Sequence, residues 1–223
     1  MVIGQKTMFV RTAGCDYRCS WCDSAFTWDG SGTSLIRQLT PQQIWEELVA
    51  TGGKRFSHVT LSGGNPAILP QLGGLVQLLH QHGIKVAVET QGSRWQQWLA
   101  DIDEVTLSPK PPSSGMTTQW ETLDQIIAKL KERSTSTYSI KLVIFDEEDL
   151  SYAEQVKQRY PDAPFYVQVG NPDTHTMDVN GHTVFLLQRY EWLINQVMES
   201  DILNDVRVLP QLHTLVWGNK RGV

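Results

Sequence analysis

Three cysteines stand within one short segment, Cys15-Asp16-Tyr17-Arg18-Cys19-Ser20-Trp21-Cys22, and the chain has no others. Their spacing is C-x3-C-x2-C. A closed structural zinc site, or an iron–sulfur cluster held wholly by protein, needs four ligands. Three thiolates are the number expected where one metal position is left open for a small molecule. Two other readings stand beside this one: buried or redox-active thiols, and a zinc site completed by one of the six histidines.

The elements that must position this segment follow from composition and pattern. At 223 residues and 40% hydrophobic content the chain buries a full core, and a single domain over residues 1–223 is expected. A net charge of -5 without a Lys/Arg run argues against nucleic acid as partner. No stretch approaches the ~20 apolar residues of a membrane span, and the N-terminus does not read as a signal peptide. An odd cysteine count without an export signal points to the cytoplasm, where thiolates stay reduced and available for iron.

Along the chain, strand-like and helix-like segments alternate. Strands are predicted at Thr7–Thr12, His58–Leu61, Lys85–Glu89, Glu104–Leu107, Ile140–Phe145, Phe165–Val169 and Val206–Leu209. Helices are predicted from Thr40 to Gly52, near Leu69–Gln81, at Trp95–Leu99, Trp120–Glu132, Glu147–Arg159 and Thr183–Met198. Thr40-Pro41-Gln42-Gln43 carries a helix start, with Thr as cap, Pro in the first turn and Gln three residues on. Ile44, Leu48 and Val49 are expected as that helix's apolar face. The alternation implies right-handed crossovers and an α/β fold with a mostly parallel sheet. About seven strands suit an open, incomplete (partial) β/α barrel better than eight full βα units.

Ligands of parallel α/β sheets bind outside the carboxyl ends of the strands. Those ends carry the polar and Gly/Pro-rich segments: Arg11 with the cysteine loop, Ser62-Gly63-Gly64-Asn65-Pro66, Glu89-Thr90-Gln91-Gly92, Ser108-Pro109-Lys110-Pro111, Gln168-Val169-Gly170-Asn171 and Pro210-Gln211-Leu212-His213. Convergence on one rim is expected.

The three-cysteine spacing resembles the signature of radical S-adenosylmethionine (radical SAM) enzymes. That resemblance implies a [4Fe–4S] cluster on Cys15, Cys19 and Cys22, with the open iron chelating SAM. Trp21 is then the aromatic expected beside the adenine, or a hydrophobic shield for the cluster. Ser62–Pro66 looks like the family's GGEP-type segment, where adjacent glycines let main-chain atoms reach the SAM amino group; Asn65 replaces the commoner Glu. Taken alone, Gly-Gly-Asn-Pro is a turn.

Several segments are similar to the 7-carboxy-7-deazaguanine synthases within that superfamily. The resemblance implies Ser24, after Asp23, as a Mg2+ ligand shared with substrate, a hard oxygen suited to Mg2+; a bare loop cap is the alternative. It implies SAM contacts at Trp21, Cys22, Asp23, Gly64, Ser108, Pro109, Lys110, Gln168, Val169, Gly170 and Asn171. Substrate contacts follow at Arg11, whose fork suits a carboxylate, at Ser62, at His213 and at the terminal carboxylate of Val223. The tail of about 210–223 is expected to fold over the substrate. Implied as well are a cytoplasmic homodimer, a flavodoxin- or ferredoxin-type reductant, and conversion of 6-carboxy-5,6,7,8-tetrahydropterin to 7-carboxy-7-deazaguanine with loss of ammonia, toward queuosine.

One departure stands out. The family's Q-G-E-G segment has no counterpart before or within Met1–Gln5, so a late-assigned start is expected, sparing the cluster and SAM sites and weakening pterin binding. Two rival functions remain at this point: an activase abstracting hydrogen from a glycine of a partner enzyme, and a non-catalytic iron–sulfur module with a fourth protein ligand.

Overall fold

Thr40 opens the first helix as its spacing requires. Its side-chain oxygen accepts from the Gln43 backbone N–H at 3.3 Å, and its own N–H donates to Gln43 Oε1 at 2.8 Å. Helix α1 (Pro41–Gly52) ends at Gly53, whose φ of 59° is left-handed. Only Leu48 of the expected apolar face is fully buried; Val49 is 39% exposed. Ile44 and Leu48 are one turn apart, whereas Val49 is rotated about 100° away from Leu48.

The computed structural model of the chain describes residues 2–133 and 137–220. Its strands are β1 (Met8–Thr12), β2 (His58–Gly63), β3 (Lys85–Thr90), β4 (Glu104–Leu107), β5 (Thr137–Ile144), β6 (Phe165–Val169) and β7 (Arg207–Leu209). The remaining helices are α2 (Leu72–Gln81), α3 (Trp120–Lys131), α4 (Glu147–Arg159), α5 (Val179–Glu199) and α6 (Leu212–Trp217). The sheet runs β1 to β7 in sequential order without closing, an α/β partial barrel as expected. Pairing is parallel from β1 to β4 and from β5 to β7.

Two compact units divide the chain. The first comprises Met1–Arg18, Ser24–Pro109 and Thr118–Ser139, the second Cys19–Asp23, Lys110–Thr117 and Ile140–Val223. In the first, Val59, Leu61, Val86, Val88, Val105 and Leu107 of the sheet are buried, as are Leu75 and Leu79 of α2 and Leu123, Ile126 and Ile127 of α3. In the second, Ile140, Leu142, Ile144, Phe165 and Val167 are buried, with Ala153, Val156 and Leu193 from α4 and α5. β2 reads as a nearly continuous buried run, the pattern of a parallel strand buried on both faces.

Differences from the expected elements have local causes. α2 starts at Leu72 because Leu69, preceding Pro70, is extended at φ -109° and ψ 93°. α5 starts four residues early because the Asp178 side chain accepts from Gly181 N–H at 3.0 Å. Trp95 lies before the short 3-10 helix Gln97–Asp101, with the Lys129 ammonium 4.8 Å from its ring centroid. The segment read as tail contains helix α6, ended by Gly218.

His58, 2% exposed, sits at the amino end of β2, away from the strand ends that bear the candidate site. Its Nδ1 is 2.8 Å from Thr7 Oγ1, and its Nε2 has no hydrogen-bond partner. Burial holds its pKa below the ordinary value, outweighing the pull of Glu104 and Asp103. The unfolded chain therefore takes up this proton at a higher pH than the folded one. The stability it contributes is full above about pH 6.5 and falls as pH drops through that value toward the lower folded pKa. Urea midpoints at about pH 7.5 and about pH 5.5 should differ less in a His58→Gln variant than in the wild type; an equal difference would remove His58 as the cause.

Candidate functional site

The first unit places Arg11, Cys15, Ser24, Ser62, Gly64, Ser108 and Pro109. Register pairs Arg11 with Ser62 and Thr12 with Gly63, so the two candidate substrate contacts are neighbours on adjacent strands. Arg11 Nη1 donates to Ser24 Oγ at 3.1 Å, with its guanidinium 5.9 Å from the Phe26 ring centroid. Ser24 precedes the 3-10 turn Ala25–Thr27, but its side chain makes no cap bond. Ser108 is 1% exposed, and its N–H donates to the Thr90 carbonyl at 2.7 Å.

Main-chain bonds fasten the start of the cysteine loop to the β2 turn. Gly14 N–H donates to Thr27 O at 2.8 Å, Gly64 N–H to Thr12 O at 3.1 Å, and Asn65 N–H to Gly14 O at 2.9 Å. The approach is so close that a Cβ on Gly64 would overlap the Gly14 carbonyl oxygen and lie 2.6 Å from its carbon. A cavity of 380 Å³ opens beside this turn, lined by Cys15, Arg18, Thr27, Trp28, Ile36 and Ile68 among others.

Asp16, inside the loop, gathers side-chain donors from two strand ends. Its Oδ1 accepts from Asn65 Nδ2 at 2.8 Å and Gln91 Nε2 at 2.6 Å. Its Oδ2 accepts from Ser93 Oγ at 2.8 Å and Arg94 Nε at 3.2 Å. Burial pushes the Asp16 pKa up, but the bonds from Asn65, Ser93, its own backbone and Arg94 outweigh burial and hold it below the ordinary carboxylate value. Cys15 Sγ accepts from Tyr17 N–H at 3.4 Å and lies 3.6 Å from Gln91 Nε2.

Asn65 is more than a tolerated departure from Glu. Its side chain is 0% exposed; besides Asp16 it donates to Ser93 Oγ at 3.0 Å and accepts from Thr90 Oγ1 at 2.7 Å. A carboxylate here would face Asp16 with no proton to offer.

The second unit places Cys19, Trp21, Cys22, Asp23, Lys110, Gln168, Val169, Gly170, Asn171 and His213. Ser20 N–H donates to Ser114 O at 3.0 Å and Ser20 Oγ to Ser113 O at 2.7 Å. Trp21 Nε1 donates to Ser113 Oγ at 2.9 Å, while its ring packs 4.8 Å from that of Phe145. Ser113 in turn donates its N–H and hydroxyl to Asp149, at 3.0 and 2.6 Å, and Phe145 N–H reaches the same carboxylate at 2.9 Å. Asp149 is 0% exposed, so Asp149→Ala strands these donors. The expected loss is about 3 kcal/mol in urea unfolding, with Asp149→Asn losing less; a loss under about 1 kcal/mol would refute this anchoring role.

Asp23 Oδ2 accepts from Gln211 Nε2 at 3.0 Å, linking the cysteine loop to the segment before α6. Gln168 Nε2 donates to Pro210 O at 3.0 Å, and Asn171 Nδ2 to Asn219 Oδ1 at 3.0 Å. Gly170 packs against the Phe145 ring where a Cβ would not fit. His213 is exposed on α6. Val223 lies outside the described residues.

Sequence reasoning passed over Asp16, Gln91, Ser113 and Asp149. The signal for Gln91 was present, since Glu89–Gly92 stands among the polar segments at the strand ends. Nothing in the sequence marks Ser113 or Asp149 as partners of the cysteine loop.

The radical SAM superfamily profile matches residues 9–163. The 7-carboxy-7-deazaguanine synthase of Bacillus cereus is 58% identical over 223 residues, covering 100% of this chain and 92% of that protein. The enzyme of the same name from Bacillus subtilis is 57% identical over 224 residues, with the same coverage. Among solved structures, QueE from Escherichia coli superposes with a TM-score of 0.58 at 20% identity, covering 91% of this chain and 84% of that one. SuiB from Streptococcus suis bound to S-adenosylmethionine gives a TM-score of 0.58 at 14% identity, covering 94% of this chain and 51% of that one. These two share the fold. With a superfamily match over most of its length and relatives at such identity end to end, the chain belongs to the 7-carboxy-7-deazaguanine synthases of the radical SAM superfamily.

Proposed function

We propose that this chain is a radical SAM lyase converting 6-carboxy-5,6,7,8-tetrahydropterin to 7-carboxy-7-deazaguanine with loss of ammonia, in queuosine formation. The observation that carries the reading is the full-length similarity to enzymes of that name. Cys15, Cys19 and Cys22 form no disulfide, and N–H donors already face Cys15 Sγ; both features fit thiolates that hold a [4Fe–4S] cluster. When bound, that cluster and SAM supply one-electron cleavage of the sulfonium and a hydrogen-abstracting carbon radical.

The chain's own groups bind and orient. Gly64 offers main-chain atoms to the SAM amino group without a Cβ in the way. Trp21, Cys22, Asp23, Ser108, Pro109, Lys110 and Gln168 to Asn171 are proposed to hold the rest of SAM. Arg11 takes the substrate carboxylate with its guanidinium fork, Ser62 contributes a hydroxyl, and His213 completes the contacts. Ser24 offers Mg2+ one neutral oxygen beside the Arg11 cation. Mg2+ is proposed to join Ser24 together with a substrate carboxylate, a pair of hard oxygens suited to that ion.

A flavodoxin or ferredoxin is the proposed reductant, and the cytoplasm the proposed site of action. No helix among the described residues is long and apolar enough to cross a membrane. A homodimer is proposed too, with Val184, Phe185 and Leu187 of α5 exposed in support; sedimentation as a monomer would refute it.

The test is anaerobic reconstitution with iron and sulfide, then reduction with SAM, 6-carboxytetrahydropterin and Mg2+. Chromatographic appearance of 5′-deoxyadenosine and 7-carboxy-7-deazaguanine supports the assignment. SAM cleavage without that product keeps the radical chemistry and removes the pterin. No oxygen-sensitive cluster overturns the reading.

A further inference from the structure

Gln91 sits just past the carboxyl end of β3, 5% exposed, and its amide nitrogen serves two acceptors of different kinds. Nε2 lies 2.6 Å from Asp16 Oδ1 and 3.6 Å from Cys15 Sγ. The orientation of the amide follows from charge: the carbonyl end at 2.6 Å would set oxygen against a carboxylate, so the NH2 end faces Asp16. With one proton committed to Asp16, the other is left for the sulfur, whose large radius makes 3.6 Å an ordinary N–H···S length.

Asp16 is itself immobilised by Asn65, Ser93 and Arg94. The carboxylate therefore holds the Gln91 amide on Cys15, and the amide cannot swing away without abandoning a charge-assisted bond. Hydrogen bonds to ligand sulfurs are among the factors that set iron–sulfur reduction potentials. A donor at the thiolate favours the reduced, more electron-rich cluster.

We propose that Gln91 is a positioning residue that raises the reduction potential of the cluster through its bond to Cys15, and that Asp16 is the clamp that aims it. This rests on the reading of Cys15, Cys19 and Cys22 as the cluster ligands. It assigns a task to the T-Q-G turn after β3 that is separate from contact with SAM or pterin. It also explains why the loop places an acid directly after its first cysteine. Asp16 does not touch the sulfur; it acts through the amide.

The experiment is an anaerobic redox titration of the reconstituted protein, poised with dithionite and mediators and read by electron paramagnetic resonance. Gln91→Leu keeps the bulk and removes the donor. At the wild-type midpoint its reduced-to-oxidised ratio should fall roughly tenfold, about 59 mV for a one-electron couple. Ser20→Ala removes a bond that anchors the cysteine loop, 2.7 Å to Ser113 O, without touching Asp16, Gln91 or the Cys15 sulfur, and should leave the midpoint in place. An unshifted Gln91→Leu overturns the proposal, as does an equal shift in Ser20→Ala, which would trace the effect to loop placement. Should Gln91→Leu fail to load iron, wild-type protein labelled with 15N-glutamine decides. A nitrogen coupling to the reduced cluster supports the bond, and its absence refutes it. A wild-type protein that forms no cluster sinks the three-thiolate reading itself, an outcome distinct from a loaded cluster with an unmoved potential.

Discussion

Alanine at Cys15, Cys19 or Cys22, one position at a time, is expected to give a folded protein with no stable cluster and no SAM cleavage. Each thiolate holds a different iron under the proposed ligand set, and no other cysteine exists to replace a lost one. The fold should survive because little of the core is involved. Cys15 and Cys22 are half-buried, and only Cys19, at 9% exposed, is buried. The measurement is iron and sulfide per chain, the visible absorption of the reconstituted protein, and 5′-deoxyadenosine yield, with circular dichroism to establish folding. A full iron complement in any one variant would strike that residue from the ligand set. Zinc retained stoichiometrically, with no iron bound by the wild type, would restore the zinc reading of the cysteines.

Gly64→Ala is expected to lower 5′-deoxyadenosine formation roughly 10²-fold, the scale of a 1 Å misplacement at a reacting centre. Its new methyl would meet the Gly14 carbonyl carbon at 2.6 Å and Cys15 Cβ at 3.1 Å. Neither neighbour is the far end of a flexible side chain, so the main chain carrying Cys15 must move. The accompanying stability loss is about 1–3 kcal/mol, as for other forced overpacking. Gly83→Ala is the informative control. That residue has a φ of +71° but nothing within 4 Å of the added carbon, so it carries backbone strain without displacing the loop. Gly83→Ala should lose stability and keep SAM cleavage in folded protein. Equal loss of cleavage in both variants would mean that general destabilisation, not the Gly64–Gly14 approach, limits the chemistry.

How far the sequence could be read depends on the range of the interactions involved. β4, α4 and β6 match their predicted bounds because apolar runs, an Asp cap and short connections are local signals. The capping box of α1 is equally local and appears as expected. α6 was missed because Leu212–Trp217 is barely more than a turn and a half, too short to show a period. The Asp16 clamp was missed for the opposite reason. Its donors lie 49, 75, 77 and 78 residues from it along the chain, and only the strand turns bring them together. Asn65 shows the difference within a single residue. The turn was legible from Gly-Gly-Asn-Pro, whereas the amide's bonds to Asp16, Ser93 and Thr90 required β3 to be in place.

The stretch that bears the cysteines is held down by amides, hydroxyls and carbonyls of the polypeptide: Gly14 to Thr27, Asn65 to Gly14 and Asp16, Ser20 to Ser113 and Ser114. A zinc finger without its metal is an unfolded peptide. Here the polypeptide's own bonds set much of the path of the thiol-bearing stretch, so a chain that loses one thiol should forfeit a ligand and keep its shape.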